Sequence, residues 1–254
     1  MIWVIFSGIL FGLVHPGSKI IMGFGVPLTV FCFFYVGLRL LIQIPLVLRS
    51  GAWKVSSRGT WIVLLPLGLV GAGLQLGEFY GIAQGLPVPL VTFLVYTHPV
   101  WTLLLARALN KEKISRSGVF KVALSVVGIA LITGVSTPEE IQGMDLIVPL
   151  FAGLMIAFWI TLSNRASKAG ASSFTISFYY DLFCFLTFCV LQKTSFSAGA
   201  DDFIQVLKSP KILACLFIYS TAIGFLPNFL FYYGSKKVSS VAAGFVLLLE
   251  PVIS

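Results

Sequence analysis

Nine long apolar runs divide this sequence, separated by short segments that contain glycine, proline or charged residues. The runs lie near residues 2–22, 28–48, 61–83, 88–109, 117–134, 146–164, 173–191, 212–233 and from 238 onward. A helix that crosses a membrane needs roughly 20 predominantly apolar residues. With a mean hydropathy of +1.00 and 10% charged residues, the chain also lacks the polar surface of a water-soluble domain. The sequence therefore predicts an all-α membrane protein with nine spans.

The net charge of +8 comes from basic residues that are concentrated in alternate loops. The loops after spans two, four, six and eight hold twelve of the seventeen, namely Arg49, Lys54, Arg58, Arg107, Lys111, Lys113, Arg116, Lys121, Arg165, Lys168, Lys236 and Lys237. The loops on the other side hold three lysines beside the acidic Glu139, Glu140, Asp201 and Asp202. Basic loops favour the cytoplasmic side, so we predict a multi-pass inner-membrane protein with a cytoplasmic N-terminus. Charges placed between apolar runs also argue against a nucleic-acid partner.

The two halves of the sequence resemble each other. A shift of 152 residues aligns Phe79 with Phe231, Tyr80 with Tyr232, Phe93 with Phe245, Pro99 with Pro251 and Val100 with Val252, and a shift of 145 aligns Gly8 with Gly153 and Ser18 with Ser163. Since five spans per half is an odd number, the second half must enter the membrane in the opposite sense. The pattern predicts an inverted repeat of two five-helix halves, residues 1–135 and 144–254.

The second repeat is shorter than the first after its proline. The first half continues for about 35 residues past Pro99, whereas the sequence stops three residues after Pro251. We therefore expect most of helix nine and all of helix ten to be missing from the second repeat.

Residues 79–132 carry a combination of short motifs. They are Phe79-Tyr80, His98-Pro99, the loop Asn110-Lys111-Glu112-Lys113, and Gly118 and Gly128 before an apolar run. Outside this range, the second helix adds Pro27 near its start and Arg39 within it. In this combination the sequence resembles an EamA-type transporter of the drug/metabolite transporter superfamily. The resemblance implies ten helices in two inverted halves, with both termini cytoplasmic. It also implies a central cavity lined mainly by helices one, three, four, six, eight and nine.

Polar side chains within the predicted spans are candidates for that cavity. A charged group at mid-bilayer costs about 2.5 to 3.5 kcal/mol on insertion scales, so each one requires a partner or a wet cavity. His15 and Lys19 share a helix face, as do Gln75 and Glu78. The predicted cavity residues are His15, Lys19, Gln75, Glu78, Tyr80, Thr92, Tyr96, His98, Thr221, Asn228, Tyr232 and Glu250.

Each of these candidates has a structural alternative. Lys19 is near a helix end and could reach the outer headgroups, and Glu78 could form an internal ion pair with Lys19 or His15. His98 and Glu250 each precede a proline and could bond a carbonyl that the proline leaves free. The hydroxyl and amide groups of helices four and eight could instead hydrogen-bond between helices.

Two further pairs lie within the spans. Pro99 and Pro251 should bend helices four and nine at matching depths, either as gates or as static kinks that aid packing. Arg39 and Asp181 lie near mid-membrane, and we interpret them as a structural ion pair, with Arg39 bound to helix-end carbonyls as the alternative.

A secondary transporter is the function that the sequence favours, specifically an exporter of an amino acid or a related amphipathic metabolite. Protons carried by Glu78, His98 or Glu250 could drive it, or the solute could follow its own gradient. An enzyme is disfavoured because the two histidines are 83 residues apart and no HExxH or GxSxG motif is present. A receptor or scaffold is also disfavoured, because such a protein would usually carry a soluble domain and the sequence shows none. The four cysteines lack metal-binding spacing, so neither a metal nor a cofactor is expected, and oligomeric state is left open.

Overall fold

The computed structural model describes residues 2–55, 58–114, 116–133, 143–194 and 198–248. Helices dominate these residues, and no strand occurs among them. In chain order they are α1 (Ile2–Phe11), α2 (Val14–Met22), α3 (Leu28–Ser50), α4 (Arg58–Ala83), α5 (Val88–Val95), α6 (His98–Asn110), α7 (Arg116–Thr133), α8 (Gly143–Lys168), α9 (Ser173–Leu191), α10 (Ala200–Lys208), α11 (Pro210–Ile218), a π-helical segment (Tyr219–Phe225), α12 (Leu226–Ser235) and α13 (Ser240–Leu247).

Seven helical stretches in the described residues are long and apolar enough to cross a membrane. They are Ile2–Met22, Leu28–Ser50, Gly59–Ala83, Val88–Asn110, Gly143–Lys168, Ser173–Leu191 and Pro210–Ser235. Each coincides with a predicted span, which confirms the all-α membrane class. Helices α7 and α13 occupy the positions of the fifth and ninth predicted spans, and their membrane crossing remains a prediction, as does the inverted repeat.

Helix α4 is the central packing element, and glycines allow its neighbours to approach closely. A Cβ atom added at Gly77 would lie 2.9 Å from the Ala152 side chain on α8 and 3.1 Å from the Val148 carbonyl. A Cβ added at Gly71 would overlap the ring of Tyr180 on α9. Small residues at helix contacts are a common packing device in membranes, where lipid tails compete for apolar surface. These contacts fix the Tyr180 ring against α4.

The fourth span is broken between α5 and α6 at Tyr96 and Thr97. Pro99 stands in the first turn of α6 and has no amide hydrogen to donate to the Val95 carbonyl. That carbonyl packs against α8, because a Cβ added at Gly153 would lie 2.7 Å from its oxygen. The interruption therefore lies where the sequence predicts a bend, whereas Pro251, its predicted counterpart, lies outside the described residues.

The eighth span contains the π-helical segment, and this changes which side chains face inward. The i to i+5 bonding of a π-helix shifts the register of all residues beyond it. Gly224, Asn228 and Tyr232 are buried, whereas Thr221 is half-buried and its hydroxyl donates to the Phe217 carbonyl of its own helix at 2.7 Å. Thr221 is therefore less buried than the other three residues of the predicted stripe, which assumed unbroken α-helical spacing.

Candidate functional site

A small cavity lies in the centre of the bundle, between the first four predicted spans and the sixth to ninth. Its volume is about 50 Å³, which is room for several water molecules. Its lining residues are Phe11, Val14, Tyr35, Leu74, Gln75, Glu78, Tyr96, His98, Ile156, Trp159, Tyr180, Asn228 and Leu247. The lining thus comes from all the predicted spans except the fifth.

Glu78 on α4 is the acidic residue of this lining, and it contacts His15 on α2. Its carboxylate Oε1 lies 3.5 Å from Nε2 of His15, and the His15 side chain is completely buried. Neither ring nitrogen of His15 has a hydrogen-bond partner among the described residues. The two side chains therefore form a close pair with unused hydrogen-bonding capacity beside the cavity.

The structure places five of the predicted residues in the cavity lining, namely Gln75, Glu78, Tyr96, His98 and Asn228. Three more, His15, Thr92 and Tyr232, are buried but do not belong to the lining. Glu250 lies outside the described residues.

Three predicted residues are placed elsewhere. Thr221 is half-buried and does not belong to the lining. Lys19 is exposed and borders a surface depression between α2, α3 and α4 that also contains Tyr80. The Tyr80 hydroxyl lies 3.4 Å from a carboxylate oxygen of Asp145 on α8 and accepts a hydrogen bond from Gln84. Lys19 and Tyr80 lie near the ends of their helices, beyond the reach of the central lining.

The two histidines have different neighbours, because His15 contacts Glu78 whereas His98 lies at the break in the fourth span. His98 begins α6 at the break after α5, and its ring lies 5.5 Å from the ring of Tyr96. Its two ring nitrogens have no hydrogen-bond partner among the described residues, so His98 does not bond the carbonyl that Pro99 leaves free. His98 lines the cavity without such a bond, and its contact with a solute stays a prediction.

Aromatic rings form much of the cavity wall, and four of them were not among the sequence candidates. They are Phe11, Tyr35, Trp159 and Tyr180. Tyr35 and Tyr180 extend the lining to the second and seventh spans, beyond the helices that the family resemblance implied. A signal for both was present in the sequence, because Tyr35 stands one helical turn before Arg39 and Tyr180 immediately precedes Asp181.

Arg39 and Asp181 are brought together behind this aromatic wall. The Arg39 Nη2 donates to the Asp181 carboxylate, whose other oxygen accepts a hydrogen bond from Gln43. The Arg39 guanidinium carbon lies 4.5 Å from the centre of the Tyr35 ring and 5.6 Å from that of Tyr180. The ion pair is thus in place to fix the orientation of two rings that line the cavity.

Four loops meet at one end of the bundle, which we call the basic end. They follow α3, α6, α8 and α12, and together with the adjoining helix ends they carry twelve of the seventeen basic residues. Thr175 donates to the carbonyl of Ala52, and Lys168 lies 3.6 Å from the carboxylate of Glu112. These contacts bring the loops together on one side, as the alternating charge pattern requires.

A layer of aromatic contacts separates the cavity from the basic end. Trp159 Nε1 donates to the Tyr232 hydroxyl at 2.9 Å, and the Trp159 ring stacks on Phe231 with centroids 4.3 Å apart. Tyr180 packs edge-on against Tyr232 from α9. The cavity is therefore closed on this side by contacts between α8, α9 and α12.

Beyond the aromatic layer lies a polar network, which we call the basic-end network. The Asn164 amide donates to the carbonyls of Ser235 and Val238, at 3.1 and 2.7 Å. The Asn110 amide donates to the Ser240 hydroxyl, and the Ser240 amide donates to Glu112. The network joins the ends of α6, α8 and α12 to the start of α13, so it holds this side of the bundle shut.

A bundle of apolar helices around a central cavity with a few buried polar side chains, closed at one end, is the architecture of a multi-pass membrane transporter. The profile of the EamA-like transporter family matches residues 1–134, which is more than half of the chain. The chain therefore belongs to this family, whose members are transporters rather than enzymes.

Similar proteins agree with this assignment. A protein of Helicobacter pylori (strain J99), named as an uncharacterized transporter, is 22% identical over 182 residues, which cover 70% of this chain and 60% of that protein. Its counterpart in strain 26695, with the same name, is 21% identical over the same lengths. The chain thus spans about 60% of the length of these relatives.

A solved crystal structure shares the fold. It superposes with a TM-score of 0.63 at 16% sequence identity, covering 98% of this chain and 84% of that chain. At this identity the likeness shows the arrangement of the helices alone.

Proposed function

We propose that this protein is a secondary transporter that exports a small amphipathic metabolite, such as an amino acid, across the inner membrane by alternating access. The observation that carries the proposal is the position of Glu78, a carboxylate in the middle of a membrane helix that faces the central cavity beside His15. A carboxylate at this depth is costly to insert. Its position at the cavity is best explained by contact with a transported solute.

The shape of the cavity supports an alternating-access cycle. Pockets that hold small molecules usually have volumes of roughly 300–1,000 Å³, whereas the volume of this cavity is about 50 Å³. Solute binding would therefore require the surrounding helices to move apart. The break at Tyr96 and Thr97 and the π-helical segment are the places where the fourth and eighth spans depart from regular helix, and we propose that they act as hinges.

The orientation and the coupling ion belong to the same proposal. The basic end would face the cytoplasm, so a closed basic end corresponds to closure on the cytoplasmic side. We propose that the pair of Glu78 and His15 carries the coupling proton, with Tyr35, His98 and the Arg39–Asp181 pair as the neighbouring titratable or charged groups. A pH gradient imposed across proteoliposomes should then drive uptake against a solute gradient, whereas flux that ignores the gradient would indicate facilitated diffusion.

The role of Glu78 can be tested by transport in proteoliposomes. A panel of radiolabelled amino acids and amphipathic amines would be offered to the reconstituted protein, and to the variants Glu78→Gln and Asp201→Asn. Asp201 is exposed on α10, so its substitution makes the same chemical change away from the cavity. We expect Glu78→Gln to reduce the initial rate at least tenfold with an unchanged unfolding temperature, and Asp201→Asn to have no effect. Equal rates in wild type and Glu78→Gln would remove Glu78 from the site.

A further inference from the structure

Helix α10 is a short helix at the end of the bundle opposite the basic end, between the spans that contain α9 and α11. Its apolar and polar residues lie on different sides of the helix. The apolar side consists of Phe203, Ile204, Val206 and Leu207, and the polar side consists of Asp201, Gln205 and Lys208. Such a separation is typical of a helix that lies at the boundary between lipid and water.

The rest of the bundle covers only part of this apolar side. Val206 is buried, and the centre of the Phe203 ring lies 5.3 Å from that of Phe33 on α3. Ile204 and Leu207, by contrast, are 42% and 59% exposed. One part of the apolar side therefore fixes α10 to the bundle, and the other part faces outward.

The level of α10 along the bundle follows from its contacts with the connection between α2 and α3. A Cβ added at Gly25 would lie 3.9 Å from the side-chain nitrogen of Gln205. The Lys211 ammonium, at the start of α11, lies 4.8 Å from the centre of the Phe24 ring. Gly25 and Phe24 stand between two helical stretches that are each long and apolar enough to cross a membrane. These contacts place α10 at the level where the spans end.

The neighbouring helix indicates what covers the exposed apolar side chains. Helix α11 follows α10 after the single residue Ser209 and has exposed apolar side chains of its own, Phe217 and Ile218. Because α11 belongs to a candidate membrane span, lipid is expected to cover them. The exposed side chains of α10 thus lie only a few residues from a surface that contacts acyl chains.

An exposed lysine completes the pattern. Lys208 lies at the border between the apolar and polar sides of α10, and a lysine in this position can keep its stem in an apolar layer while its ammonium group reaches the headgroups. We propose that α10 binds the surface of the bilayer, with Ile204 and Leu207 among the acyl chains, Lys208 at the lipid phosphates, and Asp201 and Gln205 toward water. In this position α10 anchors the connection between α2 and α3 to the membrane surface. The inference does not depend on which solute the protein carries.

Nitroxide spin labels on α10 can report which phase each side of the helix faces. Ile204→Cys and Leu207→Cys would each be labelled in a protein whose half-buried native cysteines, Cys189 and Cys215, are replaced by alanine. Gln205→Cys, on the exposed polar side, is the matched control. The proteins would be reconstituted into vesicles of phosphatidylcholine and phosphatidylglycerol. Collision rates of each label would be measured with oxygen, which concentrates in the bilayer, and with a nickel chelate, which stays in water.

The ratio of the oxygen to the nickel collision rate is the decisive quantity. We expect this ratio to be several-fold higher at positions 204 and 207 than at position 205. Nickel collision rates at positions 204 and 207 as high as at position 205 would show that this side faces water, and would overturn the inference. Low rates with both reagents at positions 204 and 207 would show that protein covers the side, for example a second copy of the chain, and would overturn it as well.

Thermal unfolding in nanodiscs of the same lipids gives an independent measurement. The double variant Ile204→Gln/Leu207→Gln should unfold at a lower temperature than the wild type, because polar side chains would replace apolar ones in contact with acyl chains. On a side that faces water the same change would have little effect, as is usual for surface substitutions. Gln205→Ala is the control and should unfold at the wild-type temperature. An unchanged unfolding temperature of the double variant would contradict insertion of α10 into lipid.

Discussion

The guanidinium of Arg39 on α3 and the carboxylate of Asp181 on α9 form a buried ion pair inside the helix bundle. The two residues are 142 positions apart in the sequence, so the pair joins the two halves of the protein. It also lies directly behind Tyr35 and Tyr180, two rings of the cavity wall. The stability of the bundle and the shape of the cavity are therefore connected through this one contact.

Removal of one partner of the pair should destabilise the protein strongly. Asp181→Asn or Arg39→Met would leave an uncompensated charge or an unpaired polar group in the bundle, and breaking a buried pair costs about 3–5 kcal/mol. We expect each single variant to unfold at a clearly lower temperature than the wild type in detergent. The double variant Arg39→Met/Asp181→Leu should recover much of the loss, because no buried charge remains. Single variants as stable as the wild type would show that the pair contributes little.

The break in the fourth span should be sensitive to any side chain at Gly153. In Gly153→Ala the new methyl would lie 2.7 Å from the Val95 carbonyl oxygen, closer than van der Waals contact allows, so α8 and the break must move apart. Gly128→Ala on α7 is the matched control, since nothing lies within 4 Å of its added Cβ, and replacing a helical glycine by alanine stabilises by roughly 0.5–1 kcal/mol. Thermal unfolding should therefore show a decrease for Gly153→Ala and no decrease for Gly128→Ala. A similar shift in both variants would contradict this description of the break.

The basic-end network should control access from one side of the membrane. Asn164→Ala removes the donor to the Ser235 and Val238 carbonyls, which should loosen the connection between α12 and α13. A reporter cysteine, Thr161→Cys in a cysteine-free background, would be labelled with a membrane-impermeant maleimide in oriented vesicles. We expect faster labelling from the basic side when Asn164→Ala is added.

The control for this labelling experiment is Thr187→Val, which removes a hydroxyl that donates to the Phe183 carbonyl of its own helix. It should leave the labelling rate of the reporter unchanged. Identical labelling rates with Asn164 and with Ala at this position would show that the network does not close the bundle.

The hydrogen bond between Trp159 and Tyr232 offers a smaller perturbation of the same closed side. Tyr232→Phe removes the acceptor of Trp159 Nε1 and keeps the ring contacts. Loss of one buried hydrogen bond costs about 1 kcal/mol, with more for the orphaned donor. We expect a modest decrease in unfolding temperature, and a red shift of Trp159 fluorescence in a protein whose other four tryptophans are replaced by phenylalanine. An unshifted emission spectrum would mean that the bond is absent in the membrane protein.

Sequence alone predicted the helices well, because a membrane span must be both apolar and long enough to cross the bilayer. It also predicted an ion pair of Arg39 and Asp181, since each would be too costly in the membrane without a partner. Gln75, Glu78 and His98 were recognised as cavity candidates for the same reason, and all three line the cavity. Polar residues within a span are conspicuous in a sequence, and this makes them the predictable part of the site.

The aromatic part of the cavity was not predictable in the same way. Phe11 and Trp159 read as ordinary membrane residues, and only the packing of α1, α8 and α12 turns them toward the cavity. Thr221 was grouped with Asn228 and Tyr232 because the sequence gives no sign of the π-helical segment that changes the register, and it lies outside the cavity lining. Lys19 shares a helix with His15 but stands one turn nearer its end, where the side chain becomes exposed. The side of the helix that a residue faces depends on local backbone geometry, and hydropathy carries no information about that geometry.

Chemical modification of a cavity side chain tests most directly whether the solute passes through the central cavity. Asn228 lines the cavity, whereas Thr187 lies on the outer surface of α9 beside Leu65 and Leu186. In a cysteine-free protein, Asn228→Cys and Thr187→Cys would each be modified with a thiol reagent, and solute flux into proteoliposomes would be measured. We predict that modification at position 228 stops flux and that the transported solute slows this modification, whereas modification at position 187 does neither. Full flux after complete modification at position 228 would show that the solute does not pass through this cavity.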